Sequence, residues 1–333
     1  MCFARARPKK ACLNSNDRLN KLCTHNLQVN LLNSFQSVFR PNLFAGQTVL
    51  VTGGGSGIGR CTAHELASLG ADLALVGRKM EKLETVKAEI EQTCSVKISL
   101  HSCDIREEDR VRETVADVLA AHGKINHLIN NAGGQFPSPL NMISGKGFET
   151  VVRNNLTGGF LMAREVFNQY MMLHLGEADM SITNIIADMW NGMPGMGHSG
   201  AARAGMLNFS ETASNEWAPV RVNAVAPGFI ASSGMDTYPE PMKQTIMQLD
   251  KTIPLQRLGL EAEVSGALVF LCSPAASFIS GSCIRIDGAA PNARRIWQVG
   301  TGKANPAFNS FHLGGVPEVI QRRDAARAAA KSK

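Results

Sequence analysis

The residues best suited to chemistry stand in one run, Thr52-Gly53-Gly54-Gly55-Ser56-Gly57-Ile58-Gly59. Apolar Val49, Leu50 and Val51 precede it, and a helical pattern from Cys61 to Leu69 follows. Strand, glycine-rich turn and helix in that order form a phosphate cradle. Gly53 allows the φ of a tight turn, Gly57 leaves space for a pyrophosphate, and Gly59 lets the helix pack close to the strand. Ser56 and Ile58 fall where the free N–H groups of the helix start face the phosphates. A turn with a purely structural role is the alternative, but the flanking strand and helix favour a bound nucleotide. A second signal closes the next strand pattern, at Val76-Gly77-Arg78-Lys79. A site that selects NAD sets a carboxylate here against the ribose 2′-OH. Gly77 offers none, and Arg78 and Lys79 set two cations where a 2′-phosphate would lie. The expected cofactor is NADPH/NADP+, with an exposed basic loop as the other reading.

Those groups need a scaffold, and strand and helix patterns alternate from Gln47 to about Asp287. Strands are expected at Val49–Val51, Ala71–Val76, Lys97–Cys103, Ile125–Asn130, Ser181–Ile186, Arg221–Val225 and Ser282–Ile286. Helices are expected at Ile58–Leu69, Met80–Gln92, Arg106–His122, Phe148–Leu173 and Ala201–Trp217. Successive βα units predict an α/β fold: a single Rossmann-like, doubly wound parallel sheet with helices on both faces. The expected division is a basic leader over 1–42, a nucleotide-binding domain over 43–290 and a basic C-terminal extension over 291–333.

The 333 residues suffice for one large domain with extensions. A composition 44% hydrophobic and 19% charged describes a soluble globular chain, and no apolar run reaches the ~18 residues of a membrane span. The net charge of +6 owes much to the ends: residues 1–42 carry seven Lys/Arg against Asp17, and residues 291–333 carry eight against Glu318 and Asp324. Basic ends can bind nucleic acid or an anionic surface, but solvated ends are the favoured reading, so no nucleic-acid partner is expected. The eight cysteines form no C-x-x-C pair, which argues against zinc and dithiol redox chemistry, and no metal site is expected. Their scatter suits a reducing compartment, and the cytoplasm is the expected location. The basic, acid-poor first 42 residues read either as an organelle transit peptide or as an untranslated or disordered leader.

Further residues resemble one family, the short-chain dehydrogenases/reductases, over about residues 45–290. Thr52-Gly53-x-x-x-Gly57-x-Gly59 is similar to its cofactor motif, and Asn130-Asn131-Ala132-Gly133 to its motif at the end of the fourth strand. Asn155 matches the active-site Asn of the long helix. Pro227-Gly228-Phe229-Ile230-Ala231-Ser232 matches the Pro-Gly motif, and Ile286-Asp287-Gly288 the last strand. The resemblance implies that Asp104 and Ile105 lie against adenine and that Asn131, Ala132 and Gly133 line the cofactor site. It implies that Pro227, Gly228, Ile230 and Ser232 hold the nicotinamide end, with Ser232 at the carboxamide. It also implies an oxidoreductase with a small-molecule substrate, assembled as a dimer or tetramer.

The resemblance breaks at the reaction centre. The family's usual proton-transfer group is a Tyr-x-x-x-Lys pair with an upstream Ser. The two tyrosines here, Tyr170 and Tyr238, are followed four residues on by His174 and Met242. Aligned on the trailing Ala-Gly, Ser199 stands at the Tyr position and Arg203 at the Lys position; Ile186 takes the upstream Ser position, with Asp188 close by. A serine hydroxyl ionises far less readily than a phenol of pKa ~10. Arginine, with a pKa above ~12, cannot relay a proton, but it can bind the nicotinamide ribose and hold positive charge. Such a site suits a substrate that is already electrophilic at carbon. In an enoyl thioester, hydride adds to Cβ and charge develops on the thioester oxygen, where hydrogen-bond donors and a fixed cation stabilise it. A proton then reaches Cα from a weak acid or water.

Asn130 through Phe136, His198 through Gly205 and Ser273 through Ile279 resemble the enoyl-CoA-reducing branch, the trans-2-enoyl-CoA and 2,4-dienoyl-CoA reductases. The segment from Ala187 through Gly205 also resembles bacterial members labelled citronellol/citronellal dehydrogenases. The expected function is NADP(H)-dependent reduction of the C=C bond of 2-enoyl-CoA substrates. The alternatives are a dehydrogenase of acyclic terpenoid alcohols or aldehydes, and an NADP(H)-binding protein without turnover. The candidate catalytic residues are Asn155, Ser199, Arg203 and Asp188, with His198 a further candidate acid. Each has a plainer reading: Ser199 as a helix N-cap, Arg203 as a structural ion pair, Asn155 as a helix brace, Asp188 and His198 as turn residues. Residues 233–254 correspond to the family's lid. There Met235, Met242, Ile246, Met247 and Leu249 either line an acyl or terpenoid pocket or form an ordinary buried face, and Tyr238 could reach the substrate. Arg294 and Arg295 are candidates for CoA phosphates, with a solvated tail the favoured reading.

Overall fold

Strand β1 (Thr48–Thr52) is buried at every position. That is the pattern of a parallel strand covered on both faces. Val49 and Val51 pack into one apolar layer and Leu50 into the other, as the alternation of side chains along a strand requires. The computed structural model describes residues 37–293, 304–308 and 315–331. The expectations for residues 1–36 and for Arg294 and Arg295 lie outside the described residues.

Six further strands complete one parallel sheet: β2 (Asp72–Gly77), β3 (Ile98–Ser102), β4 (His127–Asn130), β5 (Ser181–Ile185), β6 (Arg221–Pro227) and β7 (Cys283–Ile286). Their order is β3-β2-β1-β4-β5-β6-β7, so the chain winds outward from β1 one way and from β4 the other. The fold is a doubly wound α/β sheet with helices on both faces. On one face lie α1 (Gly57–Ser68), α2 (Met80–Glu91) and α8 (Glu261–Cys272), through Leu66, Val86 and Leu268 among others. On the other lie α3 (Glu108–His122), α5 (Gly158–Gln169) and α6 (Gly197–Glu216), through Val115, Met162 and Ala213.

Several elements depart from the sequence expectation. The helix expected over Phe148–Leu173 starts earlier, as α4 (Gly145–Val152), because Ser144 Oγ caps it by accepting from Gly147 N at 3.1 Å. It then widens into a π turn at Arg153–Thr157, continues as α5, and ends at Gln169. Helix α6 begins at Gly197 rather than Ala201, so Ser199 lies inside its first turn. The N-cap position belongs to Met196, which corrects the N-cap reading of Ser199. Helix α8 has no counterpart among the expected elements. It is buried nearly all round, through Ala262, Val264, Leu268, Val269 and Leu271, and so has no polar stripe for a helical period to reveal.

The ends carry two further findings. Residues 37–42, expected in the leader, meet the domain: Ser37 Oγ donates to Glu65 Oε1 at 2.8 Å, and Phe39 packs against the core beside fully buried Phe44. Part of the C-terminal extension folds as α9 (Glu318–Lys331), and its Val319 and Ile320 are buried. The solvated-tail reading is therefore corrected for this segment. Val319 and Ile320, in the first turn of the helix, gain more from burial than from solvation. Among the described residues no helix is long and apolar enough to cross a membrane, and no group of His, Cys, Asp or Glu side chains is placed to hold a metal.

Leu268 of α8 is fully buried against the sheet. Leu268→Ala should lower stability by about 2–5 kcal/mol. Urea unfolding followed by circular dichroism measures this, and an unchanged midpoint would contradict the packing of α8.

Candidate active site

The site is built where β1 and β4 lie side by side and the chain turns away from each. Thr52 ends β1, and its Oγ1 accepts from the backbone N–H groups of Asn131 and Ala132, both at 3.0 Å. Asn131 returns the contact: Nδ2 donates to Thr52 O at 2.9 Å and to Gly53 O at 3.2 Å. The two turns are thereby locked to each other. The lock leaves no room for larger residues. Gly53 has φ +67°, and a Cβ there would stand 2.7 Å from Asn131 Nδ2. A Cβ at Gly59 would meet the Gly53 carbonyl oxygen and stand 2.5 Å from the same Nδ2.

Above the lock runs a cleft of about 390 Å³. Gly53, Ser56, Gly57 and Ile58 line its phosphate end, and Arg78 and Lys79 stand at the close of β2. Asp104 and Ile105 line the wall beyond β3; Asn131, Ala132 and Gly133 form the floor past β4, and Ser232 faces them. Gly59 lies beneath the turn, outside the cleft lining. Pro227, Gly228 and Ile230 also lie outside that lining: Gly228 N donates to Ile286 O at 2.9 Å, and Ile230 pairs with Gly259. Arg78 and Lys79 are exposed, and among the described residues neither forms an ion pair. Asp104 is held below the usual carboxylate range, at about 2, chiefly by hydrogen bonds from Arg106. The guanidinium contributes Nε at 2.9 Å and Nη2 at 2.5 Å. Lys82 joins Arg78 and Lys79 along the cleft and was missed in the sequence. Its only signal is its place on α2 one turn beyond Lys79.

The reaction centre gathers around the backbone of Gly133 and Gly134. Asn155 lies in the π turn, 2% exposed. Its Oδ1 accepts from Gly134 N at 3.0 Å, and its Nδ2 donates to Gly134 O at 2.7 Å and Val151 O at 3.0 Å. The widened turn presents the amide sideways, and all three of its contacts brace backbone. Arg203 projects from α6 beneath the same segment. Its Nη1 donates to Ile185 O at 2.6 Å, while Nη2 lies 2.8 Å from where a Cβ on Gly133 would stand. Its Nε has no partner, and burial lowers its pKa to about 10. No carboxylate pairs with it among the described residues, so the ion-pair reading is corrected: Arg203 is a desolvated cation that remains charged at neutral pH.

Ser199 is fully buried, and its Oγ donates to Gln135 Oε1 at 3.2 Å. Gln135 lies inside the Asn130–Phe136 segment, and its place two residues past Gly133 is the signal in the sequence that points to it. His198 is buried beside them, with Nδ1 accepting from Ser199 N at 2.8 Å. The Phe136 ring meets the imidazole edge-on, with centroids 4.6 Å apart. Ile186, at the upstream Ser position, is 2% exposed among Met206, Ala224 and Ala226 and supplies no hydroxyl. Asp188 stands to one side. Its backbone N donates to Pro227 O at 3.0 Å, its Oδ1 is buried without a partner, and burial and nearby Asp287 raise its pKa. Asn155, Arg203, Ser199 and Gln135 thus converge, whereas Asp188 lies toward the end of β7. The lid methionines turn elsewhere: Met235 packs with Ile246, Ile253 and Leu258, and Tyr238, Met242, Met247 and Leu249 lie against that cluster.

A dinucleotide fits this cleft. Gly53, Gly55 and Gly57 line one stretch of it without side chains, Arg78 and Lys79 stand at one end without an ion pair among the described residues, and the desolvated Arg203 guanidinium lies beneath Gly133. A family model described as enoyl-(acyl carrier protein) reductase matches residues 53–289. The chain is similar to the probable 2,4-dienoyl-CoA reductase of Bacillus subtilis strain 168, 31% identical over 250 residues, 73% of this chain and 95% of that one. It is 32% identical to the peroxisomal 2,4-dienoyl-CoA reductase of Danio rerio over 78% of this chain and 86% of that protein. The solved citronellol catabolism dehydrogenase of Pseudomonas aeruginosa PAO1 is 60% identical with a TM-score of 0.68, covering 77% of this chain and 99% of that chain.

Thr52→Val keeps the shape but strands the Ala132 N–H, since Asn131 N also donates to Ile129 O at 3.1 Å, and should lower stability by about 1–3 kcal/mol, read from the urea midpoint. Asp188 has a folded pKa above its unfolded value, so the wild type loses stability as pH rises through that window. Asp188→Asn has no such loss. Its melting temperature should gain on the wild type from pH 4 to pH 7, and a pH-independent difference would refute the shift.

Proposed function

This chain belongs to the short-chain dehydrogenase/reductase family and is an oxidoreductase, and on that footing we propose that it reduces the C=C bond of 2-enoyl-CoA substrates with NADPH. One observation supports the reading: Ser199 and Arg203, which the resemblance aligns with the family's phenol and amine, are a buried hydroxyl and a buried cation with no carboxylate partner among the described residues. Removing a proton from an alcohol needs a group that ionises near neutral pH, and a serine hydroxyl does not. Stabilising negative charge that develops on a substrate oxygen needs donors and a fixed cation in a dry site. Ser199 and Arg203 are of that second kind. Bound NADPH supplies the hydride.

The remaining roles follow from the contacts. The Ser199 hydroxyl donates to Gln135 Oε1 at 3.2 Å, which holds it in place; turned from that acceptor, the hydroxyl can donate to a substrate carbonyl oxygen. Asn155 holds Gly134, and so sets the position of Gln135 one residue on. Arg203, beneath Gly133, contributes charge through a medium of low dielectric. Asp188 stands apart from these residues, with a pKa raised by burial and by nearby Asp287, and we assign it the proton that ends on Cα. Arg78 and Lys79 favour the 2′-phosphate, since Gly77, the last residue of β2, gives no carboxylate for a free 2′-OH.

A second reading rests on the 60% identical structure, whose name is that of a citronellol catabolism dehydrogenase. Under it the substrate is an acyclic terpenoid alcohol or aldehyde, and Asp188 would have to accept the alcohol proton.

The purified protein with NADPH and a medium-chain trans-2-enoyl-CoA should consume NADPH and yield the saturated thioester, identified by mass. Binding of NADPH with no turnover here, but with turnover of citronellol, would transfer the assignment to the second reading. Binding without any turnover would leave a non-catalytic dinucleotide-binding protein. Ser199→Ala and Arg203→Met should each lower kcat by about 10²–10³-fold with NADPH affinity less affected. Arg78→Ala with Lys79→Ala should weaken NADPH about 10–100-fold and leave NADH nearly unchanged.

A further inference from the structure

The lid and the C-terminal helix form one apolar cluster. Val319 and Ile320 of α9 are 1% and 5% exposed, packed with Met235, Ile246, Ile253 and Leu258. Three lid carboxylates hold the helix there. Asp236 accepts from the backbone N–H groups of Glu318 and Val319, each at 3.1 Å, and so caps the first turn of α9 from outside. Arg327 is bidentate to Asp250, at 2.5 and 3.0 Å, and also donates to Met247 O at 3.3 Å. Arg323 lies 3.5 Å from the same Asp250, and Arg322 reaches Glu240 at 2.6 and 3.3 Å.

The dependence runs both ways. A 14-residue helix preceded by Pro317, which has no capping oxygen, is marginal by itself in water. Its apolar face and its first turn are both satisfied by the lid. The lid in turn would expose Met235 and Ile246 without α9, and Asp250, 7% exposed, would lose both guanidinium partners. The lid starts at Ser232, which lines the cofactor cleft. Gly315, just before α9, lines a recess together with Gly55, Ser56 and Gly57 of the glycine-rich turn. Of the described extension, only Gly315 lines that recess, and α9 meets the lid.

We propose that α9 is a positioning element of the lid, acting through Asp236 and Asp250, and that it slows release of the dinucleotide. The proposal rests on reading the cleft as a dinucleotide site, and on no assignment of the substrate. None of these residues touches the cleft, so their effect on the cofactor has to pass through the lid.

The test uses the full chain and the double substitution Asp236→Ala with Arg327→Ala, or Arg327→Ala alone should the pair fail to fold. Hydrogen–deuterium exchange is followed over residues 233–254 and 318–331, and displacement of bound NADPH by stopped flow. The expected result is joint loss of protection in lid and α9, unchanged protection in the sheet, and NADPH dissociation about tenfold faster, a change of ~1.4 kcal/mol. The KM for substrate should rise more than kcat falls, and Arg327→Lys should retain most of the slow release. Fast exchange in α9 with lid exchange and NADPH release both unchanged would overturn the proposal. If the unaltered chain binds no NADPH, the cofactor reading fails by itself, and the exchange data alone decide whether α9 holds the lid.

Discussion

The structure depends on the lock between Thr52 and Asn131. One side-chain hydroxyl accepts from two backbone N–H groups, and one side-chain amide answers by donating to two carbonyls. Parallel neighbours at the centre of a doubly wound sheet part company at their C-terminal ends, because their following helices leave on opposite faces. A crevice forms there in any such fold. Here it becomes a defined site because the lock sets the distance between the two turns. The glycine turn holds its shape against Asn131, and the Ala132-Gly133 floor holds its shape against Thr52. Everything that follows, from the positive end at Arg78 to the buried guanidinium under Gly133, is measured from that lock.

The reaction centre extends the same economy of contacts. Asn155 fixes Gly134, and Gln135 next to it meets Ser199. Arg203 ties α6 to the end of β5 through the Ile185 carbonyl. The unusual feature is the charge. A buried arginine normally has an acid beside it, and here the described residues give it only carbonyl oxygen. In the proposed function, its positive charge meets a partner that comes with the ligand or develops during the reaction.

Much of this was legible in the sequence. The glycine run, the strand alternation and the Asn-Asn-Ala-Gly segment fixed the sheet and one wall of the cleft, because short-range patterns encode turns and buried strands directly. The missing phenol was legible as well. What could not be read were features set by tertiary contact. Helix α8 escaped because it is buried around its circumference and shows no amphipathic period. The role of Gln135 escaped because its partner Ser199 is 64 residues away. Helix α9 looked like a solvated alanine-rich tail because its anchors, Asp236 and Asp250, lie in the lid and not in its own sequence.

The π turn at Arg153–Thr157 has a consequence for how this helix can vary. It inserts an extra residue between α4 and α5, whose Met162 and Ala163 are fully buried against the sheet. Each residue of an α-helix turns the chain by about 100°. Losing one residue from the widened turn would restore regular geometry but swing those apolar side chains away from the sheet or Asn155 away from Gly134. Substitutions along the solvent face leave that phase intact. The length of the segment is therefore under tighter constraint than the identity of most of its residues.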